Sequence, residues 1–327
     1  MVRNRPRPAA VNHGLPGQDD VTDEIGRVVV IVNPTAGRGA GHGAQASVEL
    51  ARACGRAHGR TLDVCVTERS GHARDLAADA VRAGAALVVA WGGDGTVNEV
   101  ASALIHTDVT LGIVPAGSGN GLGRDLGLPL RPAAALDVLM TGADRRIDAA
   151  MLDERAFVNV AGMGLDARVA LRFAEIGRTG RGVWRYVQAT LAEVLQFTPQ
   201  ALTLDVEGWP RRTEPMIVAF ANSRQYGNNA LVAPEARLDD GKLDVVWVGN
   251  RSLWAIVKGV PALFSGRIVL QPDVRVRKTS DVSVEAEQPI LCHVDGEPHQ
   301  AGTRVVIRTL PGALRVRVAA SRGPHRD

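Results

Sequence analysis

The chain has 327 residues, 45% of them apolar and 22% charged, which is ample for well-developed cores and far from a disordered composition. A net charge of +3 and a pI near 9.0 suit anionic ligands or an anionic membrane surface, but fall well short of a nucleic-acid-binding balance. An aromatic content of 4% leaves little for stacking bases, and the three widely spaced cysteines, Cys54, Cys65 and Cys292, read as free thiols of a reducing cytosol, without disulfide or zinc spacing.

At roughly 150 residues per domain the length predicts two domains. Residues 1–24 carry Arg3, Arg5 and Arg7 with no apolar stretch behind them, so they read as a disordered tail and not as a signal peptide. No apolar run approaches the roughly 18–20 residues that cross a bilayer. An enzyme of this composition acting on lipid would be cytoplasmic and visit the membrane peripherally.

From Arg27 the pattern becomes regular. Val28–Val32 is a continuous β-branched run, as a strand buried on both faces requires. A helix over Ala44–Ala57, a strand over Thr61–Thr67 and an alanine-rich helix over His72–Ala83, closed by Gly84, follow. Next come strand Ala86–Ala90, helix Val97–Ile105, strand Leu111–Val114 and helix Pro132–Met140. This alternation predicts an α/β domain with a parallel sheet over residues 25–145. Three glycine-rich loops fall at strand carboxyl ends, the edge where such sheets bind ligands.

Beyond about residue 145 the texture changes to short alternating segments: Arg146–Met151, Ala156–Ala161, Ala201–Glu207, Pro215–Ala221, Leu243–Val248, Val274–Lys278, Val282–Glu285, Arg304–Thr309 and Leu314–Val318. They predict a mainly antiparallel β-sandwich over 146–320, whose last segment can return to the first domain. Helical insertions are expected at about Ala167–Leu195 and near Leu253–Phe264.

Gly92-Gly93-Asp94-Gly95-Thr96 carries the clearest chemistry. Glycines let backbone amides approach an anion, the following helix N-terminus faces it, and Asp94 can meet Mg²⁺ on a nucleotide. A tight turn with Asp94 as N-cap is the plain structural alternative. Asn33-Pro34-Thr35-Ala36-Gly37, followed by Arg38, forms a second candidate phosphate clamp, although neither GxxxxGK[ST] nor GxGxxG is present at these loops. In the third loop, Pro115–Asn120, Ser118 and Asn120 can hydrogen-bond phosphate, ribose or base. Late in the chain, Asp295-Gly296-Glu297 offers carboxylates able to take the proton of an alcohol nucleophile. Asp240, in the turn Asp239-Asp240-Gly241-Lys242, could hold a hard cation. The run Arg168, Arg172, Arg178, Arg181 and Arg185 reads as a solvated face or a dock for anionic headgroups. His42 and His293 lie near candidate loops without an evident partner.

These motifs, in this order, resemble the diacylglycerol kinase catalytic domain family, which includes bacterial lipid kinases and the sphingosine and ceramide kinases. The matching residues are NPTAG at 33–37, GGDGTVNE at 92–99, PAGSGN at 115–120 and DGE at 295–297. The resemblance implies two domains with ATP between them and γ-phosphoryl transfer to a lipid alcohol such as diacylglycerol. Carried over by motif, the nucleotide contacts would be Asn33, Pro34, Thr35, Ala36, Gly37, Thr67, Gly93, Asp94, Gly95, Thr96, Val97, Asn98, Glu99 and Ser118. Glu297 would be the base, supported by Asp295 and Asp94. A structural Mg²⁺ would sit on Asp240 with the carbonyls of Arg237 and Lys242. Arg38 stands where some members have Lys, and GSGN is closer to the sphingosine-kinase form, which keeps a sphingoid base open as acceptor. The alternatives are a soluble acceptor such as NAD, or nucleotide binding without catalysis. A homodimer is one assembly open to such a chain.

Overall fold

The structure, a computed structural model, describes residues 26–37, 43–176, 193–194, 196–206, 209, 212–249 and 253–320. The first half alternates β1 (Val28–Val32), α1 (Gly43–Ala57), β2 (Leu62–Val66), α2 (His72–Arg82), β3 (Leu87–Gly92), α3 (Asp94–Leu104) and β4 (Thr110–Pro115). The short α4 (Gly121–Asp125) and α5 (Pro132–Thr141) complete it. The four strands pair in parallel in the order β2-β1-β3-β4.

Helices cover both faces, which explains why β1 is apolar throughout. Val29 and Ile31 pack among Ala73 and Ala77 of α2 and Val97 and Ala101 of α3. Val28, Val30 and Val32 face the opposite way, towards Ala51 of α1 and Leu136 and Leu139 of α5. Strand alternation therefore serves two cores instead of one core and solvent.

In the second half β5 (Ala143–Leu152) and β6 (Arg155–Phe157) form a hairpin, followed by β7 (Val160–Gly164) and α6 (Leu165–Ile176). Then come β8 (Leu202–Leu204), β9 (Arg212–Thr213), β10 (Ile217–Ala221), β11 (Leu243–Val248) and α7 (Leu253–Phe264). The chain closes with β12 (Val274–Thr279), β13 (Asp281–Ala286), β14 (Leu291–Val294), β15 (Glu297–Gln300) and β16 (Arg304–Val318). One sheet runs β12-β11-β10-β7-β14-β15, with antiparallel pairing throughout. It closes a sandwich against β5, β8, β13 and β16 through Phe157, Phe220, Val245, Val284 and Ile307.

Three differences from the sequence pattern have physical causes. The segments expected at Arg304–Thr309 and Leu314–Val318 are one strand, β16, whose pairing with β5 shifts register between Leu310 and Leu314 at a Pro-Gly bulge. Its far end pairs in parallel with β4, so a single strand belongs to both halves of the molecule. The segment Ala156–Ala161 divides into β6 and β7, because the backbone between them is drawn onto the carboxylate of Asp295. Finally, α3 begins at Asp94 and not at Val97, so three residues of the expected loop form a helical turn. Of the helical insertion expected at Ala167–Leu195, α6 is seen, while residues 177–192 and 195 lie outside the described residues.

Candidate active site

The three glycine-rich loops meet at the carboxyl edge of the parallel sheet. The Asn33 carboxamide ties the first to the second, donating to Thr96 Oγ1 at 2.9 Å. Its oxygen accepts from the Thr35 amide and hydroxyl at 3.0 and 2.7 Å, which shapes the NPTAG turn. The second and third loops touch backbone to backbone. A Cβ on Gly117 would stand 2.6 Å from the Cα of Gly93, a distance that allows Gly117 no side chain.

Asp94 binds the third loop to α3. Its carboxylate accepts from the amides of Asn120 at 2.9 Å and Gly121 at 2.7 Å. Burial pushes its pKa up, opposed by those two amides and by the charge of Arg124. Asn120 has a φ of 51° and spans its own loop, its side chain bonding the amide and carbonyl of Gly117. Ser118 stands exposed at the tip. Gly93 caps α3 without a side-chain hydrogen bond, and a helix N-terminus of that kind suits an anion.

The distal acid arrives from the sandwich. Asp295 and Gly296 have φ values of 48° and 87° and connect β14 to β15, with Val294 paired to Glu297. Two consecutive positive φ values are the signature of a type I′ hairpin, for which Asp-Gly is a preferred pair. The turn puts its two acids in different situations. Asp295 is buried, and its carboxylate accepts from the amides of Val158, Asn159 and Val160 at 2.9–3.0 Å and from the Asn98 side chain at 2.8 Å. Burial pushes its pKa up and four donors push it back. Glu297 is exposed, and its Oε1 lies 3.3 Å from where a Cβ on Gly95 would stand. The acid of the second half thus reaches the first turn of α3, beside Asp94.

Most expected positions converge here: Asn33, Thr35, Gly92, Gly93, Asp94, Gly95, Thr96, Asn98, Ser118, Asn120 and Glu297. Thr67 is buried at the end of β2, its amide on the carbonyl of Val32. Pro34, Ala36 and Gly37 complete the first turn, and Arg38 and His42 lie outside the described residues. Two positions point elsewhere. Val97 is in the core under the sheet. Glu99 accepts from the amides of Gly71 at 2.8 Å and Ala73 at 3.0 Å, capping α2.

The Asp240 turn is a separate structure. The amide of Gly241 donates to buried Asp148 at 2.6 Å. Asp240 Oδ2 faces the ammonium of Lys278 at 2.6 Å and its Oδ1 accepts from the Lys242 amide at 3.2 Å. Lys278 also approaches the Glu235 carbonyl at 3.4 Å and Asp244 at 3.5 Å. Lys278 thus meets one oxygen of Asp240, and a cation on Asp240, with the carbonyls of Arg237 and Lys242, would share that carboxylate with its ammonium. At the cleft, Asp94 offers hard oxygen donors that suit Mg²⁺.

Two features escaped sequence reasoning. The loop after β10 presses Gly227 onto Gly119, with the Asn228 amide on the Gly119 carbonyl at 3.1 Å and Arg224 paired to Asp125. His293 is buried and partnered by Asp166 at 3.2 Å. Neither contact has a local signature, since the partners lie about a hundred residues apart.

Glycine-rich loops on a parallel sheet, faced by a sandwich-borne acid, are the arrangement of a two-domain kinase, and the chain's relatives bear that class out. Residues 27–152 match the diacylglycerol kinase catalytic domain, and residues 159–318 match the YegS C-terminal NAD kinase beta sandwich-like domain. A chain named Diacylglycerol kinase from Mycobacterium tuberculosis (strain ATCC 25618 / H37Rv) is 34% identical over 303 residues, covering 90% of this chain and 95% of that one. A Pseudomonas aeruginosa chain (strain UCBPP-PA14), named Probable lipid kinase YegS-like, is 34% identical over 284 residues, covering 85% and 93%. A crystal structure of a diacylglycerol kinase from Bacillus anthracis str. Sterne shares the fold with a TM-score of 0.68 at 21% identity, covering 89% of this chain and 96% of that one. The chain belongs to the diacylglycerol kinase catalytic domain family, and it is a kinase of the lipid-kinase class.

Proposed function

We propose that the protein transfers the γ-phosphoryl group of MgATP to the hydroxyl of a lipid alcohol, diacylglycerol being the acceptor that the name of the Mycobacterium tuberculosis relative suggests. The observation that carries this reading is the approach of Glu297 to Gly95, which sets a base against the phosphate-facing turn of α3. Phosphoryl transfer needs chiefly positioning and charge neutralisation. The amides of α3 and of the NPTAG and Ser118 loops hold the phosphates, with Arg38 as their cation. Glu297, exposed at the cleft, takes the acceptor's proton. Asp295 holds the turn, its oxygens engaged by four donors. Asp94 would hold Mg²⁺, which when bound neutralises charge on the phosphates.

Peripheral membrane contact is supported by the end of α7. Val260 and Phe264, four residues apart on one face, are 48% and 52% exposed, and Leu270 is 74% exposed just beyond exposed Arg267. An apolar ridge with a basic residue suits an anionic bilayer surface. Leu231, in the loop that touches Gly119, bonds through its amide to the Leu263 carbonyl, so this ridge lies one loop from the cleft. No described helix is long and apolar enough to span a membrane.

Incubation with labelled ATP and a total lipid extract, followed by identification of the product, tests the reading. A labelled phospholipid is expected, and Glu297→Gln should lower kcat by about 10²–10⁴-fold with ATP affinity retained. Phosphorylation of NAD with none of lipid, or full activity in Glu297→Gln, would overturn it.

A further inference from the structure

The Asp-Gly turn is held at two points. Asp295 fixes the first through its four donors. The second is the Gly296 amide, which donates to Nδ1 of His293 at 3.3 Å. An amide can only donate, so Nδ1 is bare and the ring proton sits on Nε2. That nitrogen faces Asp166 Oδ2 at 3.2 Å, and the same oxygen accepts from the Tyr226 hydroxyl at 3.0 Å. The other Asp166 oxygen accepts from the Ala167 amide at 2.8 Å. The rings of Tyr226 and His293 lie 6.0 Å apart at 54°.

The surroundings leave the imidazole no alternative place. It is 3% exposed, and its strand neighbour across the sheet is Gly162. A Cβ there would lie 2.7 Å from Nε2 and run into the Asp166 carboxylate. A histidine given space by a glycine, oriented by a carboxylate that is itself oriented by a tyrosine, presents one acceptor to one amide. That amide belongs to the residue before Glu297.

We propose that His293 is a positioning residue for the phosphoryl transfer: it holds the Gly296 amide, and through it keeps Glu297 against the first turn of α3. The proposal rests on the reading of Glu297 as the base. Gly296 has the most backbone freedom of any residue type, and without its acceptor the peptide leading into Glu297 would rock. A displacement of about 1 Å at a reacting group costs on the order of 10²-fold in rate.

Two substitutions separate the ring nitrogens. Asn places an acceptor where Nδ1 stands, and Gln places a donor where Nε2 stands. His293→Asn should therefore keep kcat within about threefold, while His293→Gln and His293→Leu should lose about 30- to 100-fold, with KM for ATP unchanged in all three. Amide exchange at Gly296 should quicken in the Gln variant and not in the Asn variant, and ring-nitrogen NMR of the wild type should show the proton on Nε2. Equal loss in Asn and Gln, wild-type kcat in Leu, or a proton on Nδ1 would overturn the proposal. If the wild type phosphorylates no lipid, the assignment of Glu297 fails by itself, and the exchange and NMR readings still decide whether His293 holds the turn.

Discussion

Asp94 and Asp295 are the same chemical group in similar circumstances, yet the two halves of the molecule use them differently. Asp295 is buried and Asp94 half-buried, each is pushed towards the neutral form by desolvation, and each is met by backbone amides. Asp94, at the head of a helix on the parallel sheet, accepts two amides of the neighbouring loop and remains at the mouth of the cleft. Asp295, in the hairpin of the sandwich, accepts four donors from two elements. A carboxylate surrounded by that many donors becomes a fastener, and the exposed acid of the same turn is Glu297. The short DGE motif thus contains a buried anchor and, two positions on, the exposed acid proposed above as the base.

The largest effect that would break this comparison is at the anchor. Asp295→Ala strands the three backbone amides of Val158, Asn159 and Val160 in the interior, and should cost about 3–5 kcal/mol of stability in urea unfolding. Asp295→Asn keeps one acceptor oxygen and tolerates the positive φ, so it should cost less. A loss under about 1 kcal/mol for the alanine variant would mean that those donors find other partners and that Asp295 is free for chemistry.

What could be read in advance follows from range. Strand runs such as Val28–Val32 and loops such as Gly92–Thr96 declare themselves because their physical demands, two-sided burial and close backbone approach, are met by adjacent residues. Single residues inside those motifs were less legible. Glu99 lies in GGDGTVNE, yet serves α2, because residue spacing does not say which helix end a long side chain will reach. Lys278 closes the Asp240 turn from 38 residues away, and His293 meets Asp166 across 127. Such pairs are set by sheet order, in which β14 lies beside β7 although most of the second half separates them in sequence.

Glu99 sharpens the contrast at intermediate size. The N-cap of α2 is Gly71, at φ 80°, which offers no side chain to the helix, and Glu99 supplies the missing acceptor from α3. Glu99→Ala should cost about 1 kcal/mol, as loss of a cap does. Its KM for ATP should stay close to that of the wild type. A tenfold rise in KM with undiminished stability would return Glu99 to the nucleotide.

The smallest effect reads whether the sandwich around the hairpin is closed. Cys292 precedes His293 on β14 and packs inside, whereas Cys54 and Cys65 lie half-buried in the first half. Burial, followed by the nearby charge of Asp153, pushes the Cys292 thiol from 9.0 up to about 12. Its folded pKa exceeds its unfolded one, so its contribution to stability is complete below pH 9 and is lost as pH rises towards 12. Near pH 8 this costs nothing, but the thiol stays protonated and enclosed, and thiolate is the reactive form. Titration with a disulfide reagent at pH 8 should count two thiols in the native protein and the third only after unfolding. Prompt reaction of all three would show that β14 opens to solvent, and a strand that opens there could not hold an imidazole, a turn and an acid in register with a helix of the other half.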